Sequence, residues 1–155
     1  MAFIKGPKEP GCIFCTKPQE RRDRENYILY RGAHAFIILN AYPYNNGHLM
    51  VVPYAHVPTL EQLGDDASAE VMSLVRRSLG ALRRASAPAG FNVGANIGQA
   101  AGAGIADHVH VHVVPRWAGD TNFMPVIAEV RLVPETLEST YDSLIAAGIA
   151  ADQPA

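Results

Sequence analysis

A chain of 155 residues, 48% hydrophobic and 18% charged, has the size and apolar content of a single globular domain, here residues 1–155. Its net charge of -2 excludes a broad basic field for nucleic acid or an anionic membrane, so a phosphorylated ligand has to be held by local groups. The only cysteines, Cys12 and Cys15, are too few and too close for a disulfide framework. Neither the opening MAFIKGPKEPGC nor any later run has the apolar length of a leader or a membrane span, and the reading is a soluble, cytoplasmic protein.

In chain order, CIFC leads into the charged KPQERRDREN, expected as a solvated turn or short helix. YILYRG and HAFIILN read as two short strands joined through a glycine-containing turn. AYPYNNG is dense in turn residues and leads to the strand HLMVVP, ended by Pro53. From about Asp65 to Ala87 the period changes: Val71, Leu74, Val75, Leu79 and Leu82 recur at helical spacing. Asp65, Asp66 and Ser68 are N-cap candidates, and Pro88 with Gly90 supplies the stop. Arg76, Arg77, Arg83 and Arg84 fit a solvated face of this helix better than a phosphate-binding one. FNVGAN is a strand, IGQAAGAGIAD a small-residue loop, and FMPVIAEVRLV a further strand. PETLESTYDSLIAAG is a last helix with Pro134 in or near its first turn. Runs of strands around one long helix predict an α+β fold with a mostly antiparallel sheet.

Between the small-residue loop and the last strand lies HVHVHVVPR, residues 108 to 116. On a strand, His108, His110 and His112 share one face, while Val109, Val111 and Val113 face the core. The valines are explained by packing, and the histidines are open to three readings. They form a hydrogen-bonded row at a sheet surface, a metal site built by all three, or a nucleophile at phosphorus with two neighbours that position it. GQAAGAG lets backbone N–H groups approach an anion without side-chain bulk, and its place directly before the histidines favours phosphate chemistry.

HVHVHVVP resembles the His-x-His-x-His-x-x signature of the histidine triad (HIT) family of nucleotide hydrolases and transferases. CIFC, FIILNAYPYNNGHLMVVPYAH and NIGQAAGAGIADHVHVHVVPRWAGD resemble family segments in the family's order, over roughly residues 12–120, with the C-terminal strand and helix at about 121–149. The resemblance implies a homodimer whose subunits join their sheets into one. It also implies that His110 attacks the α-phosphorus to form a nucleotidyl-imidazole, with His112 on the phosphoryl oxygens and His48 approaching from the neighbouring strand. Asn40, eight residues before His48, takes the position of a ribose-binding residue, with a turn-capping Asn as the other reading; Asn96 takes that of a phosphate-binding amide. Apolar residues of HAFIILN, Phe36 among them, would sandwich the base. The C-x2-C pair by itself reads as a redox pair, half a zinc site or two free thiols. By likeness to zinc-bearing relatives, Cys12, Cys15, His56 and His108 would hold a structural zinc, leaving His110 and His112 for the phosphate. No catalytic metal is implied, and any magnesium arrives with the substrate.

The chain departs from many family hydrolases where they carry Gln and then Ser or Thr ahead of the triad: here stand Gly104 and Ile105. Gln99 is a candidate to substitute, and the loop from Asn96 to His108 is one residue longer than usual. The loop, LNAYPYNNGHLMVVPY and HVVPRWAGDTNF look most like a bacterial branch that cleaves diadenosine tetraphosphate with inorganic phosphate. Trp117, Asp120, Thr121 and Asn122 are candidates to touch the second nucleoside, or form a surface loop anchored by one aromatic ring. The expected activity is cleavage of dinucleoside polyphosphates, with phosphorolysis slightly preferred to hydrolysis. The alternatives are a phosphoramidate or AMP-ester hydrolase, a metal-dependent hydrolase using all three histidines, and a non-catalytic nucleotide-binding module.

Overall fold

The runs AFIIL and LMVVP are apolar at every position because the sheet they enter is covered on both faces, and both are buried throughout. In the computed structural model, which describes residues 11–120 and 135–153, five strands form this sheet. They are β1 (Ile28–Arg31), β2 (Ala35–Leu39), β3 (Leu49–Pro53), β4 (Gly90–Gly94) and β5 (Val111–Arg116). The order is β1-β2-β3-β5-β4, and every neighbouring pair is antiparallel. This is the α+β arrangement expected from the strand and helix order.

One face packs on α3 (Asp65–Ser86), whose Val71, Leu74, Val75 and Leu82 meet Ile37, Leu39, Leu49, Val51 and Val113. The last helix, α4 (Leu137–Ala146), adds Tyr141 and Leu144 to the same core. The opposite face carries Phe36, Ile38, Met50 and Val52 under Phe14 of α1 (Ile13–Gln19). The charged stretch after CIFC contains the short α2 (Asp23–Asn26), while CIFC itself opens α1. Among the described residues, no helix is long and apolar enough to cross a membrane.

Several expectations change. The N-cap of α3 is Gly64, not Asp65, Asp66 or Ser68; the two aspartates instead occupy the first turn, where their charge complements the helix dipole. The α3 arginines are not simply a solvated face. Arg77 donates to the Ile149 and Ala151 carbonyls, Arg84 donates to that of Ala147, and Arg83 lies 5.0 Å over the Phe91 ring. Carbonyls beyond the end of α4 lack helical donors, and the guanidinium groups supply them. α4 starts at Leu137 with Thr136 capping it, while Pro134, the expected strand at 123–133, Thr121 and Asn122 lie outside the described residues.

The histidine run is also not strand throughout. β5 begins at Val111, so His108 and His110 precede it in a segment held by the Val109 N–H on the Val57 carbonyl at 2.8 Å. The reason lies in β3, whose pairing with β5 ends at Val51 and Val111. Pro53 has no N–H to extend the ladder, and its carbonyl accepts from the His108 side chain instead.

Candidate active site and metal centre

Three histidines at alternate positions would be chemically alike unless their ring protons were fixed differently. His108 donates from Nε2 to the Pro53 carbonyl at 2.8 Å. A carbonyl only accepts, so the lone pair of neutral His108 is on Nδ1. His110 is the mirror case: Nδ1–H donates to the His108 carbonyl at 2.9 Å, which leaves the lone pair on Nε2. Burial lowers the pKa of both rings, and the backbone acceptor opposes that shift in each. Phe14 seals this stretch, with its ring 4.9 Å from that of His110 and 5.4 Å from that of His108.

His112 is the only one of the three within β5, opposite Met50 of β3. Its Nδ1 lies 2.9 Å from Nε2 of His48, at the entry to β3. The Tyr44 N–H donates to Nδ1 of His48 at 3.0 Å, so His48 carries its proton on Nε2 and donates it to His112. His112 is thereby left with its own proton on Nε2. Burial, then the neighbouring His112 and His110, push the His48 pKa down to about 3. Burial and His110 push that of His112 down to about 4. The result is a directed chain of neutral imidazoles beside His110, whose lone pair is on Nε2.

At the other end the ligand atoms of Cys12, Cys15, His56 and His108 all lie within 4.8 Å of one another. Cys12 Sγ and Cys15 Sγ are 3.3 and 3.6 Å from Nδ1 of His108. Nδ1 of His56 is 3.3 Å from Cys15 Sγ and 3.2 Å from Nδ1 of His108. Tetrahedral zinc at ordinary bond lengths separates sulfur and nitrogen ligands by about 3.6 Å and two nitrogens by about 3.3 Å. The donor set fits, and His108 already has its Nε2–H on a carbonyl, the outer-shell bond typical of a ligating histidine. Burial, then the adjacent Cys12, raises the Cys15 thiol, as two sulfurs sharing one site would. Among the described residues this is the one His/Cys/Asp/Glu group so placed, and it includes a single histidine of the triad.

The other candidates are placed unequally. Asn40 accepts the Tyr42 N–H on Oδ1 at 2.9 Å, a turn-capping bond, and its amide nitrogen is 3.4 Å from both ring nitrogens of His48. Asn96 lines a cleft with His112. Gln99 and Gly104 are exposed in the loop before the histidines, while Ile105 packs against the apolar face. Phe36 has no exposed surface and stacks on Tyr54, so it lies beneath the surface beside Met50. Trp117 lines a separate cavity with Gly47, Leu82 and Leu144, on the α3 side of the sheet. Asp120 grips the Arg116 guanidinium through both oxygens. Two residues not singled out from sequence matter here: Phe14, which lies between the cysteines and covers His110, and Tyr44, whose N–H sets the His48 tautomer. Position four residues ahead of His48 in a turn is a signal that could have found Tyr44.

Comparison with known proteins agrees with this geometry. Residues 21–119 match the HIT domain family. An AP-4-A phosphorylase of Mycobacterium tuberculosis is 46% identical over 131 residues, which cover 84% of this chain and 67% of that protein. An adenosine 5′-monophosphoramidase of Schizosaccharomyces pombe is 30% identical over 106 residues, 68% of this chain and 74% of its own. A zinc-bound histidine triad family protein from Mycobacterium smegmatis superposes with a TM-score of 0.71 at 27% identity, covering 88% of this chain and 92% of that one. By its sequence match and its fold, this chain belongs to the HIT family.

Proposed function

We propose that this protein is a nucleotidyl transferase that cleaves dinucleoside polyphosphates by way of a nucleotide bonded to His110. Nε2 of His110 attacks the α-phosphorus, forming an N–P bond as the bond to the leaving polyphosphate oxygen breaks. The leaving oxygen departs with the electron pair of that bond. The His112 Nε2–H donates to a phosphoryl oxygen as its charge grows, and His48 holds that proton in place through Nδ1 of His112. Inorganic phosphate then attacks the same phosphorus, breaking the N–P bond and returning His110 to its neutral form. Diadenosine tetraphosphate and phosphate would thus give ATP in the first step and ADP in the second.

The observation that carries this reading is the His110 Nδ1–H bond to the His108 carbonyl, which fixes the lone pair on Nε2 before any substrate arrives. Likeness to the M. tuberculosis AP-4-A phosphorylase supports phosphate as acceptor. The S. pombe relative supports a second reading, water as acceptor on an adenosine phosphoramidate. Product analysis of diadenosine tetraphosphate separates them: ATP plus ADP only with phosphate present supports phosphorolysis, and cleavage without phosphate supports hydrolysis. Turnover of the phosphoramidate alone supports the second reading.

Cys12, Cys15, His56 and His108 would hold zinc as a closed structural site, where the ion ties α1 to the segment before β5 and takes no part in the transfer. The protein would act as a homodimer. The sheet ends on β4, whose outer edge pairs with nothing among the described residues and carries Val93, 47% exposed, which suits continuation of the sheet across a two-fold axis.

A further inference from the structure

Beside His112, on the sheet face that carries Met50 but displaced from it toward β4, a cleft of about 280 Å³ runs over β5 and β4. Side chains at even positions of both strands reach this face, so His112, Val114 and Arg116 line it with Asn92 and Asn96. Tyr44, from the turn before β3, lines it as well. Its ring lies 6.0 Å from that of His112 at an interplanar angle of 30°, and 4.7 Å from that of His48. Tyr44 is nonetheless 59% exposed, an unusual state for an aromatic residue beside the buried His48.

The ring is not there by looseness of the loop. Asn45 donates to the Pro115 carbonyl at 3.1 Å and to Asp120 at 2.9 Å, which ties the turn to the far end of β5. The Tyr44 N–H on His48 fixes it from the other side. A pinned, exposed aromatic face next to the reacting centre, with amide groups along the adjoining floor, matches the chemistry of a nucleoside with attached phosphates.

We propose that this cleft is the subsite for the leaving half of the dinucleotide, and that the Tyr44 ring stacks on its base. Tyr44 is then a specificity-determining residue that favours substrates with two nucleosides over those with a small leaving group. The inference rests on the transferase reading above and deepens it.

The test compares kcat/KM for diadenosine tetraphosphate with kcat/KM for adenosine 5′-phosphoramidate, as a ratio, in wild type, Tyr44→Ala and Tyr44→Phe. Damage to His48 or His112 slows both substrates and cancels in the ratio. Loss of a base–aromatic stack lowers it about tenfold or more in Tyr44→Ala, while Tyr44→Phe keeps it within about twofold. An unchanged ratio in Tyr44→Ala overturns the inference, as does an equal loss in Tyr44→Phe, which would assign the effect to the hydroxyl. A wild-type protein that turns over neither substrate removes the transferase reading and this inference together. An active wild type with an unmoved ratio removes this inference alone.

Discussion

The run from His108 to His112 has two ends that look alike in sequence and differ in what receives each ring proton. At the cysteine end, the Pro53 carbonyl takes the Nε2 proton of His108, and Nδ1 faces two sulfurs and His56. At the other end, an imidazole takes the place of the carbonyl: His48 donates to His112, and its own acceptor nitrogen receives the Tyr44 N–H. Between them His110 uses the carbonyl of His108. Under the proposed function, one residue type would thus serve as metal ligand, nucleophile and phosphate donor, because the tautomer is set by the neighbour and not by the imidazole. His108 links the cysteine end to His110, since it offers its ring to the first and its carbonyl to the second.

The largest effect that separates the ends is on the chemistry. His48→Ala removes the group that orients His112, and kcat falls about 100-fold or more, while the metal content measured by atomic emission stays at one zinc per chain. A parallel loss of zinc would mean that the ends are not distinct. Cys12→Ser is the converse. Zinc falls well below one per chain, and the urea midpoint drops by an amount worth several kcal/mol, as about 10 kcal/mol or more of binding is typical of structural zinc. Full zinc retention in that variant would show that the sulfurs are not ligands.

The pH dependence of stability sharpens the comparison further. His48 titrates near 6.5 when unfolded and near 3 when folded, so the unfolded state binds the proton first. Stability from this group is complete above pH 6.5 and is lost as pH falls toward 3, at about 1.4 kcal/mol per pH unit. Urea unfolding at pH 7, 6 and 5 measures the slope, and His48→Ala reduces it while the depressed His112 keeps a part; an unchanged slope would assign the effect elsewhere. The smallest change lies remote from both ends. Ala87 closes α3 at φ 45°, so Ala87→Gly raises stability by about 0.5–1 kcal/mol in the same assay. A destabilised variant would mean that the alanine methyl is held by packing.

Much of the fold is legible in the sequence because its signals are local. AFIIL and LMVVP are bounded by turn residues, and Val71 to Leu82 keep helical spacing over three turns. Cys12, Cys15, His56 and His108 meet in space, and so do His48 and His112, as the family resemblance implies. What the sequence hides depends on distant partners. The α3 arginines read as surface because the carbonyls they serve lie some 70 residues away in the chain. The early end of the strand at Val111 depends on Pro53, visible only once β3 is known to be its neighbour. The side of the sheet on which Trp117 lies is also open to a reading from sequence. In β5, even positions share the face of His112 and odd ones that of Val113, so parity alone sends Trp117 to the α3 side.

The most direct measurement is to mix the protein with diadenosine tetraphosphate without acceptor, quench, and map any nucleotide adduct by mass spectrometry. Wild type should carry one AMP per active chain on His110, discharged by added phosphate, and His110→Asn should carry none and lose about 10⁴-fold or more in turnover. An adduct on another residue, or a His110→Asn protein that turns substrate over at the wild-type rate, would contradict the account.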